Sequence, residues 1–139
     1  MTQPFVWQLR VYWEDTDAGG VVYHSRYLNF FERARTEWLR SRGIEQSRLA
    51  RDEKLVFAIS RMEVDFLLPA VLDDELDVSV RSVSAGRTRL EFSQELTRRS
   101  DGRILSRAQV RAACLDADSF KPARMPDWIQ QQVMKQRPG

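Results

Sequence analysis

Five stretches of this chain alternate apolar and polar residues with period two, and one long stretch of helical period stands between the first and the second of them. In the first, Phe5, Trp7, Leu9, Val11 and Trp13 fall on one side and Val6, Gln8, Arg10 and Tyr12 on the other, as along a half-buried strand. From His24 to Arg42 the apolar residues Tyr27, Phe30, Phe31, Ala34, Trp38 and Leu39 recur at helical spacing, and Gly43 stands where a C-terminal cap belongs. Glu45 to Glu53 reads as a second, short and mostly polar helix. Period two then returns in four stretches: Met62, Val64 and Phe66; Leu76, Val78 and Val80; Thr88, Leu90, Phe92 and Leu96; Ala108, Val110, Ala112 and Cys114.

The links between the later strands are short. Ser84-Ala-Gly86 and Ser100-Asp-Gly102 are turns of hairpin length, so successive strands pair antiparallel; parallel pairing would need long crossovers. A helix with so apolar a face must be covered by one face of the sheet. The expected architecture is therefore α+β, an antiparallel five-stranded sheet wrapped around one long helix, the hotdog arrangement. It occupies residues 1–139 as a single domain, with a tail in which Pro126 starts a short helix over Asp127 to Gln136. An apolar sheet edge left open by this arrangement predicts self-association, to a dimer or a tetramer.

Composition excludes several classes. Lys and Arg number 22 against 20 Asp and Glu, a net charge of +2, and the signs interleave, as in Arg33-Ala-Arg-Thr-Glu37, so no phosphate-tracking stripe and no nucleic-acid partner is predicted. No apolar run approaches the roughly 18 residues that would span a bilayer, and Met1 to Leu9 lack the charged and apolar regions of a secretory signal. One cysteine, Cys114, forms no intramolecular disulfide, which suits a reducing compartment; the expected location is cytoplasmic, with peripheral contact to the inner membrane as an option. Cys114 shares its register with Ala108, Val110 and Ala112 and is read as a core residue rather than a nucleophile. One histidine and one cysteine do not make a zinc site, so no metal is predicted.

The stretch with chemical content joins the first strand to the long helix: Tyr12-Trp-Glu-Asp-Thr-Asp-Ala-Gly-Gly-Val-Val-Tyr-His-Ser-Arg-Tyr27. A helix N-terminus offers unpaired N–H groups and a partial positive charge, which would stabilise an oxyanion formed from a carbonyl placed there. The N–H of His24 is the candidate donor. A carboxylate in the preceding loop can activate water or attack the carbonyl itself, and Asp17 is in position for either. Asp15 and Asp17 have a second reading, in which they only shape the turn through bonds to the backbone.

The run Glu14-Asp-Thr-Asp-Ala-Gly-Gly-Val-Val-Tyr-His24, followed by Tyr27-Leu-Asn-Phe-Phe-Glu-Arg-Ala-Arg-Thr-Glu-Trp38, resembles the 4-hydroxybenzoyl-CoA thioesterase family, and within it the Tol-Pal-associated acyl-CoA thioesterases. The similarity continues through Arg61-Met-Glu-Val-Asp-Phe66, Pro69-Ala-Val-Leu-Asp-Asp74 and Phe120-Lys-Pro-Ala-Arg124, so it covers nearly the whole chain. The resemblance implies hydrolysis of an acyl-CoA thioester, with Asp17 as the catalytic acid, the His24 N–H polarising the thioester and the His24 side chain positioning water or substrate. It also implies substrate-binding positions at Trp13, Gly20, Val21, Val22 and Tyr23. Close relatives often carry a tyrosine where this chain has Trp13, so a phenol hydroxyl is missing from that place. No cofactor is expected, since CoA is part of the substrate; acyl carrier protein is an alternative carrier.

Cations for the CoA phosphates are available at Arg26, Arg61, Arg87, Arg89 and Lys121, and spacing selects none of them. Glu32 and Glu37 lie on the helix that bears the acid in other hotdog thioesterases, but each has an arginine at helical spacing and is read as an ion-pair partner. Two rival functions share this sequence pattern: a hotdog dehydratase acting on a hydroxyacyl thioester, and a non-catalytic acyl-thioester-binding or cell-envelope accessory protein.

Overall fold

The structure, a computed structural model, describes residues 4–135. Its elements follow the expected order: β1 (Phe5–Arg10), a single 3-10 turn (Trp13–Asp15), α1 (His24–Ser41), α2 (Gln46–Glu53), β2 (Leu55–Phe66), β3 (Glu75–Val80), β4 (Ser82–Ala85), β5 (Arg89–Arg98), β6 (Ile104–Asp116) and α3 (Asp127–Met134). The sheet runs β1-β3-β5-β6-β2, antiparallel throughout, with β4 also paired to β5. α1 lies against β1, β3 and β5. This is the α+β hotdog arrangement. The far end expected for the tail helix, Gln136, lies outside the described residues.

α1 holds the fold together because its apolar stripe is long and continuous. Tyr27, Phe30, Phe31, Ala34, Trp38 and Leu39 are all buried and meet Leu76, Val78, Leu90 and Leu96, buried on the inner face of the sheet. Trp38 and Phe92 meet edge to face with ring centroids 5.9 Å apart, the geometry aromatic quadrupoles favour. Each such fully buried large side chain contributes about 1.5–3 kcal/mol. Beyond Ser41 the helix closes as the sequence requires: the Gly43 N–H donates to Arg40 O at 2.9 Å, the Ile44 N–H to Leu39 O at 2.9 Å, and Gly43 takes φ +77°, a left-handed cap that glycine adopts without penalty.

The structure corrects three expectations. First, the sheet has six segments, not five. Between the Val78–Leu96 and Ser82–Ser93 pairs the β3–β4 side carries one residue more than β5; β3 holds the expected third strand, the ladder breaks at Arg81, whose N–H still reaches Ser93 O at 2.8 Å, and pairing resumes in β4, which takes in Ser84 and Ala85 of the expected turn. The Ser79 hydroxyl accepts the Glu95 N–H at 3.1 Å and so replaces a ladder bond at this bulge.

Second, β1 stops at Arg10, and the alternation does not carry Trp13 inward. The Asp15 carboxylate accepts the Tyr12 N–H at 2.9 Å while the Asp15 N–H donates to Tyr12 O at 3.0 Å. That pair of bonds turns the chain, and Trp13 emerges 78 % exposed. Third, β2 begins at Leu55, well before Met62, and bulges at Ser60 between the Ile59–Ala112 and Arg61–Arg111 pairs. Its other long edge bears no strand among the described residues.

Candidate active site

The loop between β1 and α1 folds on itself as a miniature hairpin. Thr16 bridges Val22, and Val21 bridges Val71. The Asp17 N–H donates to Val21 O at 2.9 Å and the Gly20 N–H to Asp17 O at 3.0 Å. Gly20 has φ +81°, which a residue with a Cβ rarely adopts. Gly19 matters differently: its N–H donates to Asp17 Oδ1 at 2.8 Å, and a Cβ there would lie 3.2 Å from the same oxygen. The glycine pair therefore lets the backbone close around one oxygen of Asp17.

The two acids of the loop divide cleanly. Asp15 is 7 % exposed and fully engaged, taking the Tyr12 N–H and facing Arg26 Nε at 3.6 Å. Its role is to shape the turn. Asp17 is exposed, makes no ion pair among the described residues, and keeps Oδ2 without a hydrogen-bond partner there. A carboxylate fixed by one oxygen and open at the other is placed to accept a proton from water or to attack an electrophilic carbon.

Two residues past the hairpin's Thr16–Val22 bridge begins α1. Its N-cap, Tyr23, offers no side-chain bond to the helix; its carbonyl takes the Arg26 N–H at 2.8 Å, and the N–H groups of His24 and Ser25 remain available to a ligand. Tyr23 is itself pinned, its N–H donating to Asp15 O at 2.9 Å, and Val22 likewise, its N–H donating to Ala70 O at 2.9 Å. Ala70 returns the support: its N–H donates to the Tyr27 hydroxyl at 3.0 Å. The helix start is thus clamped from the 66–71 segment. The His24 side chain is exposed, its ring 4.4 Å from that of Tyr23 and 6.4 Å from that of Phe66.

Of the expected binding positions, Gly20 and Val21 form the hairpin, Val22 is buried, and Trp13 and Tyr23 are exposed, as are Val71, which Val21 bridges, and Phe66, whose ring faces that of His24. An exposed apolar rim of this kind marks an interaction surface. Cys114 is fully buried, and burial pushes its thiol above the ordinary value, as a core residue requires. Glu37 pairs with Arg40 at 2.6 Å; Glu32 makes no ion pair within 4 Å among the described residues, but its charge acts on Arg35, three residues on, and raises its value against the effect of burial. Among the cations considered for CoA, Arg26 is held in the loop by Glu14 O at 3.1 Å, Arg61 by Glu63 at 2.5 Å and Arg89 by Glu91 at 3.5 Å.

Sequence reasoning missed Arg35 and Gln94, both buried. The β5 alternation does place Gln94 inward, between Phe92 and Leu96; a polar residue at a core position was the available signal.

Comparison with known proteins extends this picture. The model of the thioesterase-like superfamily matches residues 11–133. The chain is 43 % identical over 122 residues, 88 % of either chain, to the acyl-CoA thioesterase YbgC of Haemophilus influenzae. Among solved structures, a probable thioesterase from Bartonella henselae is 38 % identical with a TM-score of 0.81, covering 89 % of this chain and all of that one. A 1,4-dihydroxy-2-naphthoyl-CoA thioesterase from Synechocystis superimposes at TM-score 0.86 with 26 % identity, covering 94 % and 96 %. The match to the family model over most of the chain and the identity to YbgC show that the chain belongs to the thioesterase-like superfamily, among the YbgC-type acyl-CoA thioesterases.

Proposed function

We infer that this protein is an acyl-CoA thioester hydrolase, releasing a carboxylic acid and CoA, and we propose that Asp17 carries the chemistry. The observation that supports this most directly is the Asp17 carboxylate, held by the Gly19 N–H on one oxygen and open on the other, in a loop tied to the start of an uncapped helix. The thioester carbonyl lies against the His24 N–H, where the helix dipole and the first-turn donor stabilise the oxyanion. Asp17 then takes a proton from the attacking water, or attacks the carbon itself to form a mixed anhydride that water cleaves. The His24 side chain positions water or substrate, and Trp13, Gly20, Val21, Val22 and Tyr23 flank the acyl thioester. The reaction requires no cofactor and no metal.

The exposed apolar residues around this loop and the open edge of β2 support a homodimer or tetramer, with the site at the interface between copies. Among the described residues no helix is long and apolar enough to cross a membrane, and the single cysteine supports a cytoplasmic location. The carrier is CoA, with acyl carrier protein as the alternative.

The test is thiol release from short-chain, long-chain and aromatic acyl-CoAs, with single-turnover hydrolysis in oxygen-18 water alongside. Thiol release with at least one acyl class supports the reading. Label appearing in Asp17 identifies attack by the carboxylate, and label confined to the product favours the general-base route. Turnover of a hydroxyacyl thioester to an unsaturated thioester without thiol release would refute the hydrolase in favour of a dehydratase.

A further inference from the structure

The segment after β2 clamps the start of α1, and it is itself tied to the sheet by one side chain. The Leu68 N–H reaches Leu105 O at 3.2 Å and the Asp73 N–H reaches Val11 O at 3.1 Å. Between them, Pro69 has no N–H to give, the Ala70 N–H goes to the Tyr27 hydroxyl at 3.0 Å, and the Val71 N–H goes to Asp74 Oδ2 at 3.0 Å. Among the described residues, the one hydrogen bond from 69–72 to a strand of the sheet comes from Arg98, the last residue of β5, whose Nη2 donates to Pro69 O at 3.0 Å.

The same guanidinium makes two further contacts. Its Nε faces Asp74 Oδ2 at 3.3 Å, the oxygen that takes the Val71 N–H, and its Nη1 donates to Asp101 Oδ2 at 3.1 Å. Asp101 is fixed in its turn, its Oδ1 accepting the Arg103 N–H at 3.0 Å. The Arg98 and Asp74 side chains are 21 % and 16 % exposed, so solvent screens this pair less than it screens ion pairs on the open surface. A planar fork of donors serves three acceptors at once, which the single ammonium of a lysine does not.

Both halves of the candidate site hang on this turn. Ala70 O accepts the N–H of Val22, two residues before His24. Val71 bridges Val21, whose carbonyl accepts the Asp17 N–H. We propose that Arg98 is a positioning residue for thioester hydrolysis, acting through the 69–74 turn to fix the Asp17 carboxylate relative to the His24 N–H. It contacts neither of them. The proposal rests on the reading of those two groups as the reacting ones. A misplacement of about 1 Å caused by a change away from the chemistry costs up to about 10²-fold in rate, and a loss of transition-state geometry falls on kcat more than on KM.

The experiment sets Arg98→Gln, Arg98→Lys and Asp17→Asn beside the wild type. Steady-state hydrolysis is measured with the acyl-CoA that the wild type turns over fastest, well below the unfolding transition, and amide hydrogen exchange is followed by NMR on the same full-length proteins. Both Arg98 variants are expected to lose about tenfold or more in kcat with KM within about twofold of wild type. The Asp17 and Val22 amides should exchange about tenfold faster or more through local opening, with Val110 in β6 unchanged. Arg98→Lys keeps the charge and the apolar stem, so a folded variant carries the test if Arg98→Gln unfolds. A role confined to stability would speed exchange across the whole sheet and leave kcat at the wild-type value, and either result overturns the proposal. Wild-type kcat in Arg98→Lys with Asp17→Asn inactive removes the positioning role and leaves the acid in place. Wild-type turnover by Asp17→Asn, or no thiol release by the wild type, removes the hydrolase reading of this site and the proposal with it.

Discussion

At Asp15 the carboxylate is enclosed and bonded on both sides, whereas at Asp17, two residues later, one oxygen is tied to Gly19 and the other is open. Burial, more than residue type, separates the acid that builds the turn from the acid available for chemistry. Tyr27 shows the same dependence on surroundings. Its hydroxyl accepts the Ala70 N–H, and burial raises its value above the ordinary 10.0. A folded-state value above the unfolded one gives stability that is complete below about pH 10 and is lost as pH rises through the folded value. Tyr27→Phe should therefore cost about 1–3 kcal/mol at neutral pH by leaving a buried N–H unpaired, and the gap to wild type in urea unfolding should narrow above pH 10. A gap that widens there would contradict this account. Asp17 was legible in the sequence because its loop motif is local. The exposure of Trp13 was not, because the alternation of β1 runs on through Trp13 in the sequence while the Asp15 bonds end it in space.

Among the elements, α1 was read almost to the residue, since its signals are local: a 3.6-residue apolar period and a glycine past its end. Gly43 at φ +77° makes that cap testable. Gly43→Ala should lower stability by about 1–2 kcal/mol, the cost of a Cβ in the left-handed region, and leave thioester hydrolysis unchanged, because the site lies at the opposite end of the helix. A loss of activity without loss of stability would place the helix end in the chemistry. The break between β3 and β4 was not legible, because it depends on which Ser79 and Glu95 atoms meet across strands far apart in sequence. Gln94 was hidden for a similar reason: its acceptance in the core depends on Phe31, Ser79 and Arg35 arriving around it.

For the molecule as a whole, the antiparallel order followed from short turns, but that β1 and β2 are the edge strands of the sheet could be read only from the structure. Ile59, half exposed on β2, and the apolar rim of the Asp17 loop belong to the surface we assign to self-association. Light scattering at micromolar concentration should give at least a dimer, and Ile59→Asp should shift the mass toward the monomer and reduce activity with it. A fully active wild-type monomer would remove the interface from the account.

The most direct test of the whole account sets Asp17→Asn beside Asp15→Asn and measures kcat/KM for acyl-CoA hydrolysis and thermal stability in both. The account predicts that Asp17→Asn loses about 10²-fold or more in kcat/KM with a melting temperature close to wild type, while Asp15→Asn is destabilised through its buried bonds. Wild-type turnover by Asp17→Asn would contradict the assignment of the chemistry to that carboxylate.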